Sequence, residues 1–196
     1  GSGQPRRALY VSADSGATWT DAHGDSLSGG MIGNPWDAAY DPGMPDTIYA
    51  TSVLGSNPDV TSAWFGGTWR GSQAGGTWAL LSNHTGAILA RPGSPEGPAT
   101  ITTVDVRRDG PGCAECGSFV STDAGASWSR ASDMTGWDTG WNGSIAWSYN
   151  SATTGVSNTL GRDLSDPLTV YWVTPQFAWM SEDAGTSFYR LFTDEI

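Results

Sequence analysis

Four stretches of this chain hold side chains whose types and spacing could do chemistry. In "GPGCAECG", residues 110–117, Cys113 and Cys116 form a single C-x-x-C, which supplies only half the ligands of a four-coordinate zinc site. His23 and His84 lie far away in sequence. The pair therefore reads first as a small loop disulfide, with free thiols and a metal or redox site as the alternatives; no βαβ pattern accompanies it. Residues 134–163, "MTGWDTGWNGSIAWSYNSATTGVSNTLGRD", form a long polar loop with Trp137, Trp141, Trp147 and Tyr149. Indole faces give sugar rings a flat apolar platform, and Asp138 and Asn142 can hydrogen-bond hydroxyls, so Trp137, Asp138, Trp141 and Asn142 are the binding candidates. Trp147, followed by strand-like residues, reads as core. A third stretch, "GGMIGNPWDAAYDP" at residues 29–42, reads as a loop leading into a strand and carries the Asp37 carboxylate. The fourth, "SADSGATW" at residues 12–19, packs Ser, Asp and Thr into one turn.

The last of these is a repeat. Ser12, Asp14, Gly16 and Trp19 recur as Ser121, Asp123, Gly125 and Trp128, and again as Ser181, Asp183, Gly185 and Phe188. An eroded copy keeps only Gly75 and Trp78 of the pattern. The closing aromatics at 19, 78, 128 and 188 give spacings of 59, 50 and 60 residues, the length of one four-stranded sheet per repeat. Asp at the third position can accept backbone N–H groups of its own turn, Gly at the fifth can take positive φ, and Ser can bond the backbone locally. The closing aromatic is expected to anchor the hairpin to its sheet. The turn thus reads as a folding device rather than a site.

Two further features repeat with it. Tyr10, Trp69, Phe119 and Trp179 each stand two residues before the turn, and strand alternation predicts a buried position between sheets for all four. Upstream, "DPGMPDTIYATS" (41–52), "RPGSPEGPATITTV" (91–104) and "SDPLTVYWVTP" (165–175) each place a Pro turn before a β-branched and aromatic run, which predicts a strand. From Pro167 to Ser181 is only 14 residues, against 29 from Pro42 to Gly71 and from Pro92 to Ser121. The last unit should have a tight central hairpin.

Composition limits the partners. Nine Lys and Arg against 20 Asp and Glu give a formal charge of -11, which argues against nucleic acid and against an acidic membrane surface. No apolar run approaches the roughly 20 residues needed to cross a bilayer, and the first ten residues carry no apolar signal core. Low Lys with abundant Trp and Gly fits a secreted bacterial protein. No cofactor or resident metal is expected.

The four turns, with the lead-in Asp-Pro-x-x-Pro-Asp-Thr-Ile-Tyr-Ala at 41–50, resemble the Asp-box (BNR) repeats of β-propellers found in sialidases, xyloglucan-hydrolysing glycosidases, sortilin-type receptors and photosystem assembly factors. The resemblance spans nearly the whole chain and is specific for fold, not for activity. It implies an all-β propeller segment of about three and a half four-stranded blades: the end of one at 6–20, then blades at 30–82, 84–132 and 140–196. Propellers usually close with about four to eight blades, so a fragment packed on the remaining blades of a parent propeller is expected. The resemblance also places ligands among loops opposite the motif turns. Asp37-Ala-Ala-Tyr-Asp41-Pro42 is similar to the D-x-x-x-D-P text that carries the general acid in xyloglucan-active propellers, which implies Asp37 as catalytic acid and a polysaccharide or oligosaccharide as partner. The base in those enzymes resembles T-D-x-G-G-x-Y-R; here "WFGGTWR", 64–70, has Trp64 at the Asp position. The sialidase Arg-Ile-Pro text is absent. The function implied is a secreted, glycoside hydrolase-like propeller acting on a plant or microbial polysaccharide; the alternative is a non-catalytic propeller that binds a protein or peptide.

Overall fold

The computed structural model describes residues 9–23, 34–53, 66–75, 77–84, 86–92, 97–105, 117–130, 159–163, 165–166, 168–173 and 178–191. Among them the strands run in chain order: β1 (Tyr10–Val11) and β2 (Thr20–Asp21); β3 (Asn34–Tyr40), β4 (Thr47–Val53), β5 (Gly67–Ser72) and β6 (Ala79–Ser82); β7 (Ala87–Arg91), β8 (Thr100–Asp105), β9 (Gly117–Ser121) and β10 (Ser129–Arg130); β11 (Thr159–Arg162), β12 (Val170–Val173), β13 (Ala178–Ser181) and β14 (Tyr189–Arg190). They build one two-stranded hairpin and three four-stranded antiparallel sheets, each an up-and-down meander in which every strand pairs with its neighbour in sequence. β3 lies beside β7 and β7 beside β11, so the sheets fan around their first strands. The three Pro-led runs are β4, β8 and β12, as their β-branched content predicts. Only residues 174–177 separate β12 from β13, the tight hairpin read from the sequence.

Alternation gives the sheets apolar faces, and consecutive sheets meet face to face in three seams. Ile48, Ala50, Trp69 and Trp78 pack on Val11 and Ala22 of the first hairpin. Tyr49 on the opposite face of β4 packs with Ile88, Ala90, Ala99 and Ile101 of the next sheet. Val104 on that sheet's far side then meets Val170, Trp172, Trp179 and Phe188. Burying a large apolar side chain in such a seam contributes about 1.5–3 kcal/mol.

The motif turns share one hydrogen-bond plan. Ser12 Oγ donates to Asp14 Oδ1 at 2.8 Å and accepts from Gly16 N at 2.7 Å, while Asp14 accepts Thr18 N at 2.8 Å and Thr18 Oγ1 at 2.6 Å. Ser121, Asp123, Gly125 and Ser127 repeat it, as do Ser181, Asp183, Gly185 and Ser187. The hydroxyl at the seventh position, Thr18, Ser127 or Ser187, is thus the donor that closes each full turn. The glycines stand at φ 91°, 91° and 88°, where a Cβ is strained. The fourth positions, Ser15, Ala124 and Ala184, are also left-handed, which turns the N–H groups of Ala124 and Ala184 onto Ala99 O at 3.0 Å and Leu168 O at 2.8 Å in the lead-ins of their own sheets. In the eroded copy, lacking Ser and Asp, the turn is held differently. Trp78 lies across Gly71, where a Cβ would come within 2.6 Å of its ring, and its Nε1 donates to Ala22 O of the first hairpin at 2.8 Å.

Two expectations fail at the first hairpin. Trp69, Phe119 and Trp179 are each 7% exposed, but Tyr10 is 55% exposed; Trp78 and Phe188 are buried, but Trp19 is 63% exposed. The reason is positional: these aromatics face the sheet that precedes their own, and among the described residues none precedes β1 and β2.

Hydrogen bonds from the Thr18 and Ser127 hydroxyls, then from their N–H groups, hold Asp14 and Asp123 down at about 2 against an ordinary 3.8. A carboxylate lowered in the fold stabilises it above the ordinary value and loses that contribution as pH falls through its own. Carbon-detected NMR titration should therefore give carboxyl midpoints near 2 for these two residues, with the Thr18 and Ser127 amide resonances moving in step; midpoints near 3.8 would contradict the network. At Gly125 a Cβ would add a 2.4 Å approach to Leu81 Cδ1 of the neighbouring sheet. We expect Gly125→Ala to lower stability by about 1–3 kcal/mol in urea unfolding, and an unchanged midpoint would show the turn tolerates a side chain.

Candidate functional site

Strand direction sorts the connections into two ends. Within each four-stranded sheet the second strand runs back toward the end where the first began, so the connections 54–66, 106–116 and 174–177 leave that end, and the sheet-to-sheet passages 83–86 and 131–158 return to it. The motif turns occupy the opposite end. Asp37, in the middle of β3, pairs with Thr51, two residues from the end of β4 that lies away from the repeated carboxylates.

Asp37 lies within β3 and not, as its text suggested, in a loop leading to it. Pro35 has no N–H to give a ladder, and the β3–β4 register shifts between Pro35 and Asp37. Such a bulge re-aims the following side chain. Asp37 Oδ1 accepts Ala38 N at 2.8 Å, and Oδ2 reaches the next sheet to accept Ile88 N at 3.0 Å. The partner has a physical reason: β7 is the first strand of its sheet and pairs there with β8 alone, so its other edge offers N–H groups without ladder acceptors. Half-buried Asp37 has its carboxyl pushed above the ordinary 3.8 by loss of solvation, with the Ile88 and Ala38 N–H groups pulling the other way. At the matching register positions the other sheets carry Ala87 and Thr159, so this carboxylate is peculiar to one sheet.

The neighbouring groups are structural. Buried Asp41 accepts Gly43 N at 2.8 Å, Met44 N at 3.1 Å and the Tyr49 hydroxyl at 2.9 Å, which makes the second Asp of the D-x-x-x-D-P text a turn-former. The passage from β6 to β7 is pinned by the cross-strand pair Thr51 and Thr68, whose hydroxyls donate to Gly86 O at 2.5 Å and His84 O at 2.8 Å. Sequence reading missed Arg91. This residue ends β7, is 2% exposed, and donates through Nη2 to Ala184 O inside the third full motif turn. Its signal was a cation standing where the first Pro-led run has Asp41.

Cys113, Cys116, Trp137, Asp138, Trp141, Asn142 and Trp64 lie outside the described residues.

Neither the protein-family models nor the curated proteins give a match to this chain. Among solved structures, the fold is similar to that of an ancestral GH74 enzyme, with a TM-score of 0.60 and 20% identity over 97% of this chain and 22% of that one. At that identity the likeness shows the fold alone: an all-β propeller segment of about three and a half four-stranded sheets. The chain spans about a fifth of that enzyme's length.

Removing the Asp37 carboxylate should loosen the seam between the second and third sheets. Asp37→Ala strands the Ile88 N–H and is expected to cost about 1–3 kcal/mol, read from urea unfolding together with faster amide exchange at Ile88. Unaltered stability and exchange would show that this bond holds nothing.

Proposed function

We propose that this chain is a segment of a secreted Asp-box propeller of glycoside hydrolase type, acting on a plant or microbial polysaccharide, with Asp37 as its general acid. The observation that carries the reading is the propeller likeness over nearly the whole chain, joined to the Asp37 carboxyl in β3, whose burial raises its pKa. A general acid must be protonated when it meets the glycosidic oxygen, and a desolvated carboxyl holds its proton to higher pH. Protonated Asp37 would pass that proton to the leaving oxygen as the C–O bond breaks. A second carboxylate, about 6.5–9.5 Å away for inversion, would draw a proton from the attacking water. In this reading the second carboxylate comes from outside the described residues, and Trp137 and Trp141, with Asp138 and Asn142, hold the sugar.

One observation favours the non-catalytic alternative. Both Asp37 oxygens already accept main-chain N–H groups, the bonding expected of a stitch between sheets in a propeller that binds a protein or peptide.

Reducing-sugar release from xyloglucan and β-glucan separates the two. The complete propeller of which this chain is a segment should hydrolyse one of these, and Asp37→Asn in it should lower kcat by roughly 10²–10⁴-fold while keeping its unfolding midpoint near the parent's. Because the Asp37 pKa is raised above 3.8, activity should fall as pH rises through that raised value. No hydrolysis by the parent, or undiminished hydrolysis by Asp37→Asn, would sink the enzyme reading.

A further inference from the structure

The register row that holds Asp37 differs from its counterparts in the other sheets. Thr51 opposes Asp37 and Thr68 opposes Thr51, so one row of the second sheet turns three polar side chains toward the third. The same row reads Ala87, Val104 and Ser118 in the third sheet, and Thr159, Val173 and Ala178 in the fourth. Valine suits the middle of such a row, and a threonine buried there costs free energy unless its hydroxyl is bonded. Thr51 and Thr68 are both fully buried, and both hydroxyls reach out of the row to the passage that leads into β7. Thr51 Oγ1 donates to Gly86 O at 2.5 Å and Thr68 Oγ1 to His84 O at 2.8 Å. Gly86 stands at φ 102°, where a side chain would be strained. Two residues on lies Ile88, whose N–H donates to Asp37 Oδ2 at 3.0 Å.

These bonds close a circuit. Asp37 and Thr51 are cross-strand neighbours, Thr51 holds the carbonyl of Gly86, and the chain from Gly86 brings the Ile88 N–H back to Asp37. We propose that Thr51 is a positioning residue for Asp37, its hydroxyl fixing the start of β7 so that the Ile88 N–H meets the carboxylate, with Thr68 supporting the same passage at His84 O. The consequence is control of a proton. Burial favours the protonated carboxyl and the Ile88 N–H opposes it, so the hold of Thr51 on the passage decides how much of that opposition Asp37 receives. Across the seam, Ile88, Thr103 and Phe119 form the row that faces Asp37, Thr51 and Thr68. Among the described residues, the titratable or charged side chains adjoining these rows are His84, stacked on Phe119 with ring centroids 3.5 Å apart, and Arg130, paired with Phe119. Neither contributes to the raised Asp37 pKa, which comes from loss of solvation set against the Ile88 and Ala38 N–H groups. Only the catalytic consequence rests on Asp37 as general acid; the positioning does not.

Carbon-detected NMR titration of the Asp37 carboxyl in the parent, Thr51→Val and Thr51→Ser tests it. Valine keeps the shape of the side chain and removes the donor. In Thr51→Val the Asp37 midpoint is expected above the parent's, and the Ile88 amide should exchange at least about tenfold faster, as for loss of one hydrogen bond to a charged group, while Ile101 keeps its protection. Thr51→Ser restores the donor and should bring both readings back toward the parent. Should Thr51→Val fail to fold, Thr68→Val repeats the design one strand further from Asp37 and is expected to move both readings the same way. In the complete propeller, the pH at which hydrolysis falls off should rise together with the midpoint in Thr51→Val. A midpoint that rises with no such change in hydrolysis would count against Asp37 as the acid and leave its positioning standing. An Asp37 midpoint that is unchanged or lowered in Thr51→Val, or one that Thr51→Ser does not bring back, would overturn the proposal.

Discussion

A four-stranded antiparallel sheet with apolar side chains on both faces must be covered twice, and that requirement shapes every part of this chain. The seam between consecutive sheets is where Trp69, Trp78, Trp172, Trp179 and Phe188 are buried, and it accounts for the Gly, Ser and Asp of the turns. A turn glycine lets the backbone come within contact of the sheet before it, as Gly125 does at Leu81 and Gly185 at Thr102. The hydroxyl–carboxylate pair then fixes the turn in the left-handed geometry that this approach needs. Arg91 adds a cross-seam tie, reaching from the first strand of one sheet to the turn of the next.

Repeating such a unit divides labour along the strands. One end holds the turns, whose carboxylates are fully committed to local hydroxyl and N–H donors. Asp37 stands away from those turns, within β3 and opposite Thr51. There a bulge after Pro35 aims one carboxyl across the seam onto Ile88. Burial raises its pKa while the turn carboxylates are lowered, so the same side-chain type meets opposite electrostatics in the two places. Loss of solvation favours the protonated form; donors converging on a carboxylate favour the ionised one.

How much of this was legible depended on whether the controlling interaction is local. Turn, lead-in strands, tight last hairpin and sheet count follow from spacings of Ser, Asp, Gly, Pro and aromatics, because those contacts lie within a few residues of each other. The positions of Trp19 and Tyr10 did not, since burial at a seam depends on the neighbouring sheet and not on the strand that carries the side chain. Asp37 was noticed for its text but placed in a loop; the bulge that keeps it in β3 depends on β4 pairing, which alternation alone does not reveal. Arg91 was hidden because its acceptor is Ala184, 93 residues away.

The central claim is that the motif turns are parts of the seams and not merely closed hairpins. Native-state hydrogen exchange at the Gly125 and Gly185 amides, each donated to a Ser hydroxyl at 2.8 and 2.7 Å, tests this most directly. The account predicts that both open with the same free energy as Ile101 and Val170, buried in the seams they adjoin. Exchange of the turn amides at a rate set by local fraying, while Ile101 and Val170 stay protected, would contradict it.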